Sequence, residues 1–178
     1  MIINQLKKMI YQPQWYFAYG SNMNPQRMNA RGMAYSQALA GQLAGFGLCF
    51  DKRASGKSGV GYATIRYQPG AKVEGVLYRL QRPQDIALMD PFEGNPYRYS
   101  REVFTADTQS GAINCWVYVA NQALLAAGLL PEKLYLDHLL KGRPWLSERY
   151  FETLSRHPFI DNSDAAVATA LNGLTHNV

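Results

Sequence analysis

The aromatic run Trp15–Tyr19, which ends at a glycine and is followed by helix-start residues, constrains the fold most. Aromatic side chains suit a pleated, half-buried strand, and Gly20 permits a backbone angle or a close approach that a side chain would forbid. Asn24 is a preferred N-cap, and Pro25 fits the first helical position because its missing N–H is not needed there. The segment therefore predicts a strand, a tight loop and a helix.

The loop between that strand and helix offers backbone N–H groups to a ligand. The amides of Gly20–Met23 are able to point into one concavity beside a helix N-terminus, an arrangement that favours a carboxylate or a developing oxyanion. An ordinary strand-to-helix turn without a ligand has the same local pattern. The loop alone does not choose between these two interpretations.

Two pairs of β-rich runs follow and predict two hairpins. Val60–Tyr67 and Val73–Leu80 flank a Pro-Gly turn, and 97–106 and 112–120 flank a polar turn. Before them, Leu43–Phe50 predicts a bent strand that is followed by a polar loop over 51–59. Hairpins, rather than alternating strands and helices, favour an α+β architecture.

Helix signals lie mainly in the C-terminal half. Pro83 is expected to open a helix that breaks at Gly94, and Pro131–Lys141 and the stretch from the N-cap Ser147 to about Arg156 are two more candidates. With 178 residues and no visible linker, we expect one domain. Its predicted bounds are 15–157, between an N-terminal arm (1–14) and a C-terminal tail (158–178).

Composition bears on partners and location. No apolar run approaches the roughly 20 residues that span a bilayer, and residues 1–14 lack signal-peptide features, so we expect a cytoplasmic protein without membrane contact. The net charge of +5 comes from scattered basic residues without a block of five or more like charges. Nucleic-acid binding is therefore not expected.

Cysteine and histidine positions do not predict a metal or thiol site. Cys49 and Cys115 lie in apolar stretches and are expected to be reduced core residues. His138, His157 and His176 lack close ligand spacing, so no metal is expected.

Glu93 is the leading candidate for acid–base chemistry. It follows Pro91 and Phe92 at the end of the predicted apolar helix, where the helix dipole and partial desolvation would both raise its pKa. A raised pKa would let the carboxyl group accept a proton and return it. The alternative is a solvated glutamate at a helix end.

Several of these segments resemble the γ-glutamylcyclotransferase family. Tyr19-Gly20-Ser21-Asn22 resembles the family's loop signature, and Leu88–Gly94 followed by Tyr99–Arg101 is similar to its catalytic-glutamate segment. The resemblance extends roughly from Phe17 to Arg156. It includes two segments similar to family strands in the same order, Gly61–Ile65 and Val73–Tyr78.

The resemblance implies a fold and a set of site residues. The fold would be a small mixed β-barrel of the cyclotransferase type with helices packed around it. Glu93 would be catalytic, and the implied substrate-binding residues are Tyr19, Gly20, Ser21, Asn22, Met23, Tyr99, Tyr118 and Tyr135. Tyr97 competes with Tyr99 for its position. Ser21 lacks the Gly-x-Ser-x-Gly setting of a hydrolase nucleophile, so we expect it to bind ligand or cap the turn.

The implied activity converts a γ-glutamyl amine or γ-glutamyl amino acid into 5-oxoproline and the free amine. The substrate's own α-amine attacks its γ-carbonyl with Glu93 as base and then acid, so no cofactor is expected. The expected partner is a small γ-glutamyl molecule. The sequence leaves open which γ-glutamyl compound it is, what the oligomeric state is, and whether the loop binds the substrate's carboxylate or the oxyanion. The alternative is a non-catalytic small-molecule-binding protein with the same fold and pocket.

Overall fold

Five strands close into a barrel within residues 12–161, which are the residues that the computed structural model describes. The strands are β1 (Trp15–Ala18), β2 (Tyr35–Arg53), β3 (Gly61–Leu80), β4 (Tyr99–Thr108) and β5 (Gly111–Ala120). They lie in the order β1-β3-β2-β4-β5, and β1 closes the barrel by pairing in parallel with β5. The other pairs are antiparallel. The predicted α+β class with a small mixed barrel is confirmed.

The first predicted hairpin is wrong, because β3 is one continuous strand. Both of its β-rich halves pair antiparallel with β2: Leu43 lies opposite Val73, and Phe46 lies opposite Tyr67. The exposed Pro-Gly segment between the halves is taken up as a bulge where this register shifts. The predicted loop over 51–59 is also too long, since β2 continues to Arg53. A shared partner strand keeps the two halves running in one direction.

The second predicted hairpin is confirmed. β4 and β5 pair along their full lengths, from Tyr99 opposite Ala120 to Thr108 opposite Gly111. Gly111 has φ 111°, a left-handed conformation that favours glycine at the turn.

In the described part of the chain, four α-helices surround the barrel: α1 (Pro25–Ala30), α2 (Asp90–Glu93), α3 (Lys133–Leu140) and α4 (Glu148–Ser155). Both predicted N-caps are confirmed. Asn24 Oδ1 accepts from Gln26 N at 3.0 Å, and Ser147 Oγ accepts from Tyr150 N at 3.3 Å. The helix expected from Pro83 is instead a 3₁₀ helix, Pro83–Leu88, followed by the short α2. No helix within 12–161 has the length and apolarity that crossing a membrane requires.

The core anchors the loop after β1 to the barrel. Phe17 from β1, Met23 from the loop and Met28 from α1 have no exposed surface and belong to the same cluster of buried side chains. Burial of each such side chain contributes about 1.5–3 kcal/mol. The loop is therefore held in place from both of its ends.

The predicted arm and tail lie largely outside the described residues. Residues 1–11 and 162–178 are not described, so the arm, most of the tail and both domain bounds stay predictions. The described start of the tail contacts α3, because the Ile160 carbonyl accepts from Lys133 N at 2.9 Å.

Candidate active site

A cavity of about 30 Å³ lies where the loop after β1, α2 and α3 meet the barrel. Eight of the residues that the sequence predicted line it: Tyr19, Gly20, Ser21, Asn22, Glu93, Tyr99, Tyr118 and Tyr135. The structure adds Tyr16 and Ala63. Segments far apart in the sequence therefore converge on one small chamber, half of whose lining residues are tyrosines.

Glu93 is held at this chamber by the end of α2. Gly94 follows it in a left-handed conformation with φ 64°, which ends the helix. The Glu93 side chain is 16% exposed, and its Oε1 accepts from Asn22 Nδ2 at 3.0 Å and from Arg31 Nη1 at 3.2 Å. One oxygen of the carboxylate thus takes both contacts.

Burial raises the pKa of Glu93, while Arg31 and the hydrogen bond from Asn22 offset part of that rise. The predicted direction is therefore correct. Pro91 is exposed, and Phe92 is 50% exposed with its ring centroid 4.9 Å from Cζ of Arg31. Glu93 is buried because α2 turns it toward the barrel.

Gly20 is required by a close approach rather than by its backbone angle. Its φ of −112° is available to any residue. A Cβ at this position would lie 3.2 Å from Tyr135 Oη and 3.3 Å from Ala63 Cβ, tighter than ordinary van der Waals contact. The backbone of Gly20 therefore forms one wall of the cavity.

Met23 does not reach the cavity, contrary to the prediction that it binds substrate. Its side chain is fully buried in the core, and its N–H donates to the carbonyl of Gly20 at 2.9 Å within the 3₁₀ turn Ser21–Met23. The turn that shapes the loop thus uses this amide. Gly20, Ser21 and Asn22 remain as the loop's candidate ligand contacts.

Asn22 carries an unused acceptor next to Glu93. The residue is 3% exposed, and its Nδ2 donates to Tyr16 Oη at 2.8 Å as well as to Glu93. Its Oδ1 is buried without a hydrogen-bond partner among the described residues. Buried polar atoms are normally satisfied, so a ligand donor would fit at this oxygen.

The cavity tyrosines are anchored by backbone and carboxylate groups. Tyr99 Oη donates to the carbonyl of Ala63 at 3.0 Å, Tyr118 Oη donates to Asp90 Oδ1 at 2.6 Å, and Tyr135 Oη accepts from Ala63 N at 3.1 Å. Burial raises the pKa of each of these tyrosines above its ordinary value. They are therefore neutral phenols at physiological pH.

Tyr19 is a fourth cavity tyrosine that is anchored by the backbone. Tyr19 Oη donates to the carbonyl of Tyr118, and burial raises the pKa of Tyr19 as well. Between the competing positions, Tyr99 is 8% exposed and lines the cavity, whereas Tyr97 is 83% exposed.

A second cavity of about 240 Å³ adjoins the first and shares Ser21, Glu93, Tyr99 and Tyr135 with it. The remaining residues that line it are Arg27, Arg31, Lys52, Tyr62, Phe92 and Arg98. The sequence analysis identified none of these as site residues. Its only signal was the polar segment starting at Asp51, which was expected to be a loop and which contains Lys52.

The cysteines and histidines lie away from both cavities. Cys49 and Cys115 are free thiols, and burial raises their pKa values to about 11 and about 12. His138 contacts Asn24, and His157 packs against Phe50. Across residues 12–161, no group of three His, Cys, Asp or Glu side chains is placed to hold a metal ion; His176 lies outside this range.

The sequence model of one protein family matches residues 16–146 of this chain. That family is described as "Gamma-glutamyl cyclotransferase, AIG2-like", and the match includes the loop after β1 and Glu93. No curated protein matches the chain significantly.

Solved structures share the fold. The uncharacterized protein loc79017 from Homo sapiens is 26% identical with a TM-score of 0.72, and the alignment covers 84% of this chain and 90% of that one. A gamma-glutamyl cyclotransferase is 25% identical with a TM-score of 0.71 and the same coverage. YkqA from Bacillus subtilis, 21% identical with a TM-score of 0.72 over 88% of this chain and 59% of its own, is similar in fold alone.

Proposed function

This chain belongs to the gamma-glutamyl cyclotransferase, AIG2-like family, and we propose that it converts a γ-glutamyl amine or γ-glutamyl amino acid into 5-oxoproline and the free amine. One observation carries the proposal. A buried glutamate with a raised pKa, Glu93, meets the loop Tyr19–Asn22 at a chamber walled by tyrosines. This combination places a proton acceptor and anion-binding groups around one chamber, which adjoins the larger cavity of about 240 Å³.

The reaction is an intramolecular acyl transfer. The substrate's α-nitrogen forms a bond to the γ-carbonyl carbon, and the γ-amide C–N bond breaks. Glu93 accepts protons from the α-nitrogen and returns them to the leaving nitrogen, so the amine departs as an ammonium and no net proton is released. A carboxyl group with a raised pKa suits both directions of this transfer.

The chain's other residues position the substrate. Asn22 Oδ1, the buried acceptor without a partner, lies on the residue that also holds Glu93, and it suits an N–H of the α-ammonium. The amides of Gly20–Asn22 would hold one of the substrate's two anions, the α-carboxylate or the developing oxyanion. Tyr99 and Tyr135 would limit the glutamyl chain to folded shapes in which the α-nitrogen approaches the γ-carbonyl.

A non-catalytic binding protein is the second candidate. The observation that favours it is the ion pair between Glu93 and Arg31, which gives the carboxylate a partner before any substrate arrives. In that case the pocket would hold a γ-glutamyl compound without releasing 5-oxoproline.

A panel of γ-glutamyl amines and amino acids, assayed for 5-oxoproline by mass spectrometry, tests the proposal. We expect release of 5-oxoproline and the free amine in equal amounts by the wild type, and release slowed by at least about 10²-fold by Glu93→Gln. Binding of panel members by calorimetry without any 5-oxoproline would support the binding protein instead. If the protein neither bound nor turned over any member of the panel, both candidate functions would be refuted.

A further inference from the structure

The second cavity, of about 240 Å³, lies outside the small chamber and is the outer cavity of this site; its lining is strongly cationic. Its lining includes four cationic side chains, Arg27, Arg31, Lys52 and Arg98, and one carboxylate, Glu93. The ion pair with Glu93 occupies Arg31. The other three cations form no salt bridge with any carboxylate in residues 12–161.

Lys52 is the most unusual of these three. It is 4% exposed, and its Nζ lies over two aromatic rings, 5.4 Å from the centroid of Tyr62 and 5.7 Å from that of Tyr99. Both rings line the same cavity. Keeping an ammonium group buried without a carboxylate is costly, and cation–π contacts recover only part of that cost.

Arg27 and Arg98 add to this unbalanced charge. The Nε of Arg27 is buried and has no hydrogen-bond partner among the described residues. Arg98 is exposed at the rim of the cavity, on the segment between α2 and β4. The cavity therefore runs from the exposed Arg98 past the half-buried Arg27 to the buried Lys52, and an anion in it would meet all three cations.

The head of a γ-glutamyl substrate does not balance these charges, since its α-ammonium and α-carboxylate cancel. The leaving portion is the part that can. Glu93 lines both cavities, so a leaving nitrogen that takes a proton from Glu93 is at the boundary between them. Groups attached to that nitrogen would extend into the outer cavity.

Building on the proposed function, we propose that the outer cavity selects substrates whose leaving amine carries carboxylates, with an acidic amino acid, which has two, preferred over a neutral one. Lys52, Arg27 and Arg98 bind these carboxylates and determine specificity. A substrate whose leaving amine carries no carboxylate is the poorest, because Lys52, Arg27 and Arg98 then stay unpaired.

Three substrates with a constant head test this selection: γ-glutamyl-aspartate, γ-glutamyl-alanine and γ-glutamyl-ethylamide, whose leaving amines carry two, one and no carboxylates. We expect kcat/KM for 5-oxoproline release to rise by about tenfold with each carboxylate, the size typical of a hydrogen bond to a charged group. Added salt should reduce the preference, since the rim of the cavity is exposed.

Two variants assign the preference to this cavity. Lys52→Met keeps most of the buried stem but removes the charge, and Arg98→Gln removes a charge at the exposed rim. Each should lower the ratio of kcat/KM for the aspartate substrate to that for the ethylamide substrate by about tenfold. The control is Arg156→Gln, which also loses one positive charge but lines neither cavity and has a side chain 78% exposed. Its ratio should match the wild type.

The ratio of kcat/KM for the aspartate substrate to that for the ethylamide substrate does not depend on the fraction of enzyme that is folded. If Lys52→Met fails to fold, Arg98→Gln still tests the proposal. Equal turnover of all three substrates by the wild type would overturn the selection while leaving the proposed function intact. If the variants lost kcat/KM equally for all three substrates, the cations would bind the glutamyl head instead, and the proposed selection would also be overturned. Release of 5-oxoproline from none of the three would refute the proposed function and the selection together.

Discussion

Replacing Glu93 by glutamine separates proton transfer from binding because of how the carboxylate is held. Asn22 and Arg31 both donate to Oε1, so the amide oxygen of a glutamine can keep both contacts. Only Oε2 is exchanged, for an amide nitrogen that accepts no proton. The substrate's α-ammonium, whose pKa is near 8, then loses its base at neutral pH.

The expected loss in kcat is about 10²- to 10⁴-fold, or about 3 to 5 kcal/mol of barrier, which is the usual contribution of a positioned acid–base group. Affinity for substrate should change far less, since the loop and the tyrosines are untouched. Turnover is measured by 5-oxoproline release and affinity by calorimetry. Glu152→Gln is the matched control, because its side chain is 51% exposed on α4 and should leave both quantities unchanged.

Stability distinguishes lost chemistry from lost folding. The pKa of Glu93 is raised in the folded state, so its favourable contribution to stability is present below the unfolded-state pKa and is lost as pH rises through the folded-state pKa. Above the folded-state pKa the buried charge therefore costs stability, and in that pH range Glu93→Gln should melt at the same temperature as the wild type or higher. An undiminished rate of 5-oxoproline release in this variant would refute the mechanism.

Three further predictions concern the same site. Arg31→Gln removes the cation that holds down the pKa of Glu93, so the acid limb of kcat against pH, where the base becomes protonated, should move to higher pH; an unmoved limb would contradict that coupling. Gly20→Val adds atoms where even a Cβ would crowd Tyr135 and Ala63, so circular dichroism should show a folded protein and calorimetry should show that it no longer binds 5-oxoproline. Unchanged affinity would remove the loop from the site. Dialysis against a chelator should leave turnover intact, and activity that zinc alone restores would reveal a metal site.

Some features of the fold and of the site could be predicted because they depend on residues that are close together in the sequence. The N-caps Asn24 and Ser147, the turn between β4 and β5, and the helix end at Gly94 depend on neighbouring residues, and the structure has all of them. The family resemblance placed Glu93 and the loop Tyr19–Asn22 in one site. The structure brings them to one cavity, while their catalytic and binding roles stay predictions until the variants are measured.

Features that depend on distant partners could not be predicted. The Pro-Gly segment has the composition of a hairpin turn, but pairing of both flanking runs with β2 makes it a bulge. Met23 directly follows the loop signature, but its N–H donates to the carbonyl of Gly20 within the turn, and its side chain is buried in the core. Lys52 belongs to no motif. The pairing of β2 with β3 places it opposite Tyr62, and the fold of the barrel brings Tyr99 of β4 to the same ammonium group.

By itself the sequence determined the α+β class, the strand–loop–helix start, and a glutamate followed by the glycine that ends its helix. Only the tertiary structure decided which residues share the chamber, which oxygen of Glu93 is held, and where the unpaired cations lie. The physical reason is range. Helix caps and turns respond to residues a few positions away, whereas burial and electrostatics depend on which distant strands meet, and a closed barrel brings together residues 16 and 118, or 52 and 98.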